Sequence, residues 1–85
     1  MPGQISHVNV LEQQLLSLGQ SEFALEQLIR DLLARTRKAG SEGNEEAAEN
    51  AWALHQEAKA TLAALRNEIS AVEIRLYALR RQMRK

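Results

Sequence analysis

Between Ala48 and Met83 the chain repeats an alternating three- and four-residue spacing: Ala48, Ala51, His55, Ala58, Leu62, Leu65, Ile69, Val72, Leu76, Leu79, Met83. Every one of these positions except His55 is apolar. A period of about 3.5 residues keeps one stripe of an α-helix turned toward a neighbouring helix along its length. The spacing therefore predicts a long helix that packs lengthwise on another. A preceding series supplies a partner within the same chain: Val8, Leu11, Leu15, Leu18, Glu22, Leu25, Ile29, Leu32, Thr36, Ala39. Gly19 followed by Ser21 is a potential break in it. The spacing keeps its phase across Gly19, however, which favours one continuous helix carrying a local weakness of about 1 kcal/mol relative to alanine.

Gly40-Ser41-Glu42-Gly43-Asn44 is the one internal cluster of turn-forming residues. Gly40 suits the left-handed position that ends a helix, and Ser41 or Asn44 suits the N-cap of the next. Arg35, Arg37 and Lys38 before the cluster, and Glu42, Glu45, Glu46 and Glu49 in and after it, match the polarity of a helix end and a helix start. At the beginning, Pro2 and Gly3 discourage a helix, and Ser6 and Asn9 are candidate caps.

The expected fold is thus all-α: an antiparallel two-helix hairpin with coiled-coil packing, its helices near residues 6–39 and 44–84. Residues 1–7 form a disordered lead and residues 40–44 the loop, all within a single domain spanning 1–85. Folding about the loop centre sets Leu11 level with Val72, Leu18 with Leu65, Leu25 with Ala58 and Leu32 with Ala51. The basic end of the second helix, Arg80 to Lys85, then overhangs the start of the first.

Composition narrows the partners. Eleven Lys and Arg balance eleven Asp and Glu, so bulk charge makes no case for nucleic acid or an anionic membrane. With no cysteine there is neither a disulfide framework nor a thiolate ligand or nucleophile. No apolar run approaches the roughly 20 residues of a membrane span, and the first residues lack the basic and apolar regions of a secretory signal. A cytoplasmic location is the expectation. At 85 residues a bare hairpin has little core to set against its ordering entropy, so help from another chain is expected.

Apolar residues outside the stripe point the same way. Leu16, Phe23, Leu28 and Leu33 lie off it in the first helix, and Trp52, Leu54, Ile74 and Tyr77 in the second. In a heptad whose a and d positions form the stripe, Leu33 and Trp52 are e positions and Leu28 and Leu54 are g positions, which widens the stripe near the loop. Helices that face two neighbours carry such wide stripes. The residues expected at an oligomer or partner interface are Phe23, Leu28, Leu33, Trp52, Leu54, His55, Leu62, Leu65, Ile69, Val72, Leu76 and Tyr77. Phe23, Trp52 and Tyr77 are the strongest anchors, since aromatics commonly dominate interface energetics.

Recognisable chemistry is absent from the pattern. The residue three before His55 is Trp52 and three before His7 is Gln4, so the Glu-x-x-His motif of di-metal bundles is missing. Glu22, polar within the stripe, is expected either to pair with Arg66 or to stand in solvent near Gly19. His55 is expected to be a hydrogen-bonded interface histidine, or one at the stripe's edge, reached by Glu26 or Gln27 of the facing helix. No nucleophile stands with a base and an orienting group, and no phosphate-binding glycine loop occurs. No catalytic residue, cofactor or metal is assigned, and the chain reads as non-enzymatic.

Two resemblances bear on function. Trp52-Ala53-Leu54 lacks the Trp-x-Gly turn of the WXG-type secreted hairpins. Leu11-Glu12-x-x-Leu15, a polar-interrupted first helix, a glycine-containing bend and an Ala/Leu-rich second helix, spanning Leu11 to Tyr77, resemble the YscE/SsaE-type co-chaperones of type III secretion. That resemblance implies a small chaperone keeping a polymerising needle subunit soluble in the bacterial cytoplasm with a larger helical-repeat chaperone; the exposed apolar residues would be its partner surface. The basic extension at the C-terminus departs from that family. The leading expectation is an interaction or assembly subunit acting through coiled-coil packing. The alternative is a small nucleic-acid-associated or regulatory protein whose Arg75, Arg80, Arg81, Arg84 and Lys85 meet phosphate.

Overall fold

A computed structural model describes residues 2–84, with side-chain burial described from Ile5 onward. Met1 of the expected lead and Lys85 of the basic end lie outside the described residues. Two α-helices, α1 (Pro2–Ser41) and α2 (Glu45–Met83), run antiparallel as a rod 64 Å long and about 15 Å across. All positions of the first apolar series are buried or half-buried, and so are all of the second except Met83. The expected stripe is therefore the seam between the helices. Val72, 2 % exposed, is its best-covered side chain, with Leu32, Ala58, Leu62 and Leu76 also buried. Gly19 lies inside a continuous α1.

The boundaries differ from expectation at both ends of α1. It begins at Pro2, so residues 2–7, expected to be a disordered lead, are helical, and Ser6 and Asn9 lie inside the helix rather than capping it. Proline is well tolerated in the first helical turn, where its missing N–H would have had no intrahelical acceptor. Burial of Val8 rewards carrying α1 along the whole of α2. The helices are consequently of nearly equal length, 40 and 39 residues, and the end of α2 does not overhang.

At the turn, α1 continues through Gly40 and Ser41, and the left-handed residue is Gly43 (φ 76°) rather than Gly40. The Asn44 N–H donates to Ala39 O at 2.9 Å and the Gly43 N–H to Gly40 O at 3.1 Å. This pair of bonds is a Schellman closure that satisfies two of the last carbonyls of α1. Asn44 then begins α2: its side-chain Oδ1 accepts from the Ala47 N–H at 3.1 Å. Ser41 does not cap; its hydroxyl donates back to Lys38 O.

The later pivot changes the register. Arg66 is bonded to Glu22 and Glu26, and Arg80 to Glu12. Under the expected pairing Arg66 would lie level with Ser17, some nine residues and about 13 Å of helix from Glu26, too far for the contact observed. A fold centred on Gly43 instead sets Leu15 beside Val72, Leu18 beside Ile69 and Leu25 beside Leu62. That arrangement has a simple cause. Reversing one helix reverses the order of its three- and four-residue steps, so the two stripes stay in step only when an a position faces a d position.

A methyl group added at Gly19 would meet open space on a helical backbone, whereas Gly43 has positive φ. Gly19→Ala should therefore raise stability by about 1 kcal/mol, and Gly43→Ala should lower it by about 1–2 kcal/mol. Urea unfolding followed by circular dichroism measures both, and a loss at Gly19 would contradict the straight, open helix described there.

Candidate interaction surface

The seam sorts the expected interface residues into two groups. His55, Leu62, Val72 and Leu76 are buried against the chain's own α1, and Leu65, Ile69 and Leu33 are half-buried. The hairpin itself packs these seam residues against α1, as the pairing of the two stripes within one chain expected. Phe23, Leu28, Trp52, Leu54 and Tyr77 are left exposed, together with Ile5, Val10, Leu16, Ile74 and Met83.

Apart from Ile74 on the outer face of α2 and Met83 at the end of the stripe, these exposed side chains lie on two opposite flanks. In an antiparallel pair e positions meet e positions, as Glu26–Arg66 and Glu12–Arg80 do here. Phe23, Leu16 and Tyr77, at b positions, join Leu33 and Trp52 on this e flank. The g flank carries Leu28 and Leu54. It also holds an apolar groove near the open end, lined by His7, Val10, Leu11, Arg75, Ala78 and Leu79. Val10 lies outside the stripe and was not singled out from the sequence. The available signal was the small residues at seven-residue intervals beside it, Ala64, Ala71 and Ala78, which leave room for a groove.

Glu22 and His55 are the polar interruptions that matter most. Arg66 answers the first: its Nε donates to Glu22 Oε2 at 3.0 Å and its Nη2 to Glu26 Oε1 at 3.0 Å, forming a bridge across the seam, the first of the two arrangements expected for Glu22. Those hydrogen bonds, Glu22 first, hold the guanidinium pKa above its ordinary value, so Arg66 stays a cation. Such surface bridges contribute little net stability but discriminate between registers. Arg80 Nη2 donates likewise to Glu12 at 3.1 Å.

His55 departs from expectation. Neither Glu26 nor Gln27 reaches it; Nδ1 is buried without a hydrogen-bond partner, and the ring stacks on Trp52 of the same helix with centroids 5.1 Å apart and planes 17° from parallel. Three residues along a helix place these rings on adjoining positions of one face. The register that sets Leu25 beside Leu62 places His55 level with Leu32, about 9 Å along α1 from Glu26. Trp52, half-covered by this stack at 47 % exposure, is a preorganised aromatic plate at the border between seam and e flank.

Among the described residues no three His, Asp or Glu side chains gather closely enough to hold a metal ion, and no helix is long and apolar enough to cross a membrane. At the open end Leu15, Ile74, Tyr77, Arg80, Arg81 and Arg84 line a shallow groove with Glu73 and Leu76. The surface thus offers aromatic and aliphatic contacts bordered by charge, a composition suited to binding a helix. No family model, curated protein or solved structure matches the chain.

Replacing His55 by leucine removes a buried, unpaired polar atom while keeping the seam filled. The His55→Leu variant should be more stable by about 1–2 kcal/mol, read as a higher urea midpoint with an unchanged slope. A less stable variant would show that the stack on Trp52 outweighs the unpaired nitrogen.

Proposed function

We propose that this chain is a non-enzymatic interaction or assembly module that presents its exposed flanks to partner helices. The observation that carries the reading is the fate of the two kinds of apolar residue. The seam closes within one chain, yet Phe23 (64 % exposed), Tyr77 (67 %) and Ile74 (70 %) remain in water, as do Trp52 and Leu54. Scattered exposed apolar side chains are ordinary on soluble proteins. Large ones concentrated along the flanks of a thin, two-layer rod instead widen each helix's apolar arc to that of a bundle helix. A partner helix laid on a flank would extend the small core.

The resemblance of the Leu11–Tyr77 layout to type III secretion co-chaperones offers one concrete setting: a cytoplasmic subunit that shields an assembly-prone protein until it is needed. Phosphate contact by the basic end of α2 is the weaker alternative. Arg80 is engaged by Glu12, Glu73 lines the same groove, and the chain has no net charge.

The test is site-specific photo-crosslinking in cells producing the protein. A photoreactive phenylalanine analogue at Trp52 should give a discrete protein adduct, while the same analogue at Asn67, exposed on the outer face of α2, should give none. Equal background at both positions would refute an interaction surface at this flank.

A further inference from the structure

We infer that the e flank receives a second copy of this chain, antiparallel, with the open end of each hairpin lying on the loop end of the other. This occupant presupposes the interaction role proposed above. Its basis is a complementarity between the two ends of one flank. At the open end a groove lined by Leu15, Ile74 and Tyr77 is rimmed by Arg80, Arg81 and Arg84. At the loop end of the same flank stand Glu45, Glu49 and the exposed Trp52. One end offers guanidinium groups around an aromatic, the other carboxylates beside an aromatic.

The spacing makes this more than a match of net charge. Along α2 the steps Glu45 to Glu49 to Trp52 to Gln56 are four, three and four residues; read backward, Arg84 to Arg80 to Tyr77 to Glu73 are also four, three and four. Laid antiparallel on its own copy, α2 therefore brings Glu45 to Arg84, Glu49 to Arg80, Trp52 to Tyr77 and Gln56 to Glu73 in a single register. A two-fold axis forms every such contact twice, because an isologous interface repeats each pair reciprocally. The opposite arrangement, open end on open end, sets arginine against arginine and glutamate against glutamate, which costs affinity.

The centre of the flank is compatible with the same axis. Arg66 comes near its own copy there; each guanidinium already carries Glu22 and Glu26, so no bare cation faces another and the net −1 of each exposed cluster is screened by solvent. Phe23, 64 % exposed on α1 and level with the middle of α2, meets Phe23 of the second copy. Arg80 retains free donors beyond its bond to Glu12, since a guanidinium has five N–H groups and uses one there.

Sedimentation velocity on the full chain over a wide concentration range, with helicity monitored, tests this. The unaltered chain should dimerise. Glu45→Arg with Glu49→Arg should weaken dimerisation about tenfold or more, as should Arg80→Glu with Arg84→Glu, because each variant then meets like charge on like. An equimolar mixture of the two variants should recover the dimer, since every contact between them is again acid to base. A glutamate-to-arginine variant that dimerises as well as the unaltered chain would overturn the antiparallel arrangement. So would a chain that stays monomeric at every concentration.

Phe23→Cys provides a readout independent of the charges. The chain has no cysteine of its own, and oxidation should link two copies symmetrically at low micromolar concentration; failure to link overturns the placement of the axis. Adduct mass in the photo-crosslinking experiment separates this inference from the broader role. Twice the chain mass supports the second copy. A discrete adduct of any other mass refutes it while leaving the interaction role intact.

Discussion

The constraint on which the structure depends is the requirement that two stripes of alternating three- and four-residue spacing stay in step while running in opposite directions. Only facing of a positions with d positions satisfies it, because reversal exchanges the order of the steps. Once met, the constraint covers both series, from Val8 at the open end to Ala39 and Ala48 at the turn. It also consumes the residues that supply most of the apolar area. What remains outside, on the e and g flanks, is therefore the surface open to other molecules.

The turn selects which a position meets which d position. A Schellman closure at Gly43 and an N-cap at Asn44 share adjacent residues, so the last carbonyls of α1 and the first N–H groups of α2 are satisfied within the short connection from Ser41 to Glu45. So compact a connection leaves little freedom for one helix to slide along the other. The ion pairs of Arg66 with Glu22 and Glu26 and of Arg80 with Glu12 reinforce the same choice. Bridges of this kind add little stability at the surface, yet a slipped register would leave carboxylate and guanidinium apart. Positioning by the turn and discrimination by charge thus act together.

The polar interruptions of the seam are resolved differently from one another. Glu22 sits where its carboxylate can swing to the e flank and meet Arg66, so the seam loses one apolar contact but keeps its polar group paired. His55 is enclosed, and its unpaired nitrogen is offset only by packing against Trp52. The indole is thereby held in place by a neighbour on its own helix. Loss of seam quality at His55 and definition of the flank at Trp52 are two aspects of one stack.

Much of this was legible in the sequence because helical periodicity is a local property. The 3-4 spacing established two helices and the identity of the seam, and it favoured continuity through Gly19. The heptad positions of Leu28, Leu33, Trp52 and Leu54 marked them as flanking residues. The tertiary structure decided where α1 starts and turns, since Pro2 and Gly40 are tolerated in a helix that packs along α2, a stabilisation absent from local propensity. It likewise decided the register, which depends on Gly43 rather than Gly40 adopting positive φ, and hence which side chains share a flank. It left His55 unpaired because the observed register sets it level with Leu32, about two turns from Glu26 and Gln27. Periodicity states which face of each helix turns inward; only the packed pair states which residues lie level with one another, and that alignment determines the outer surface.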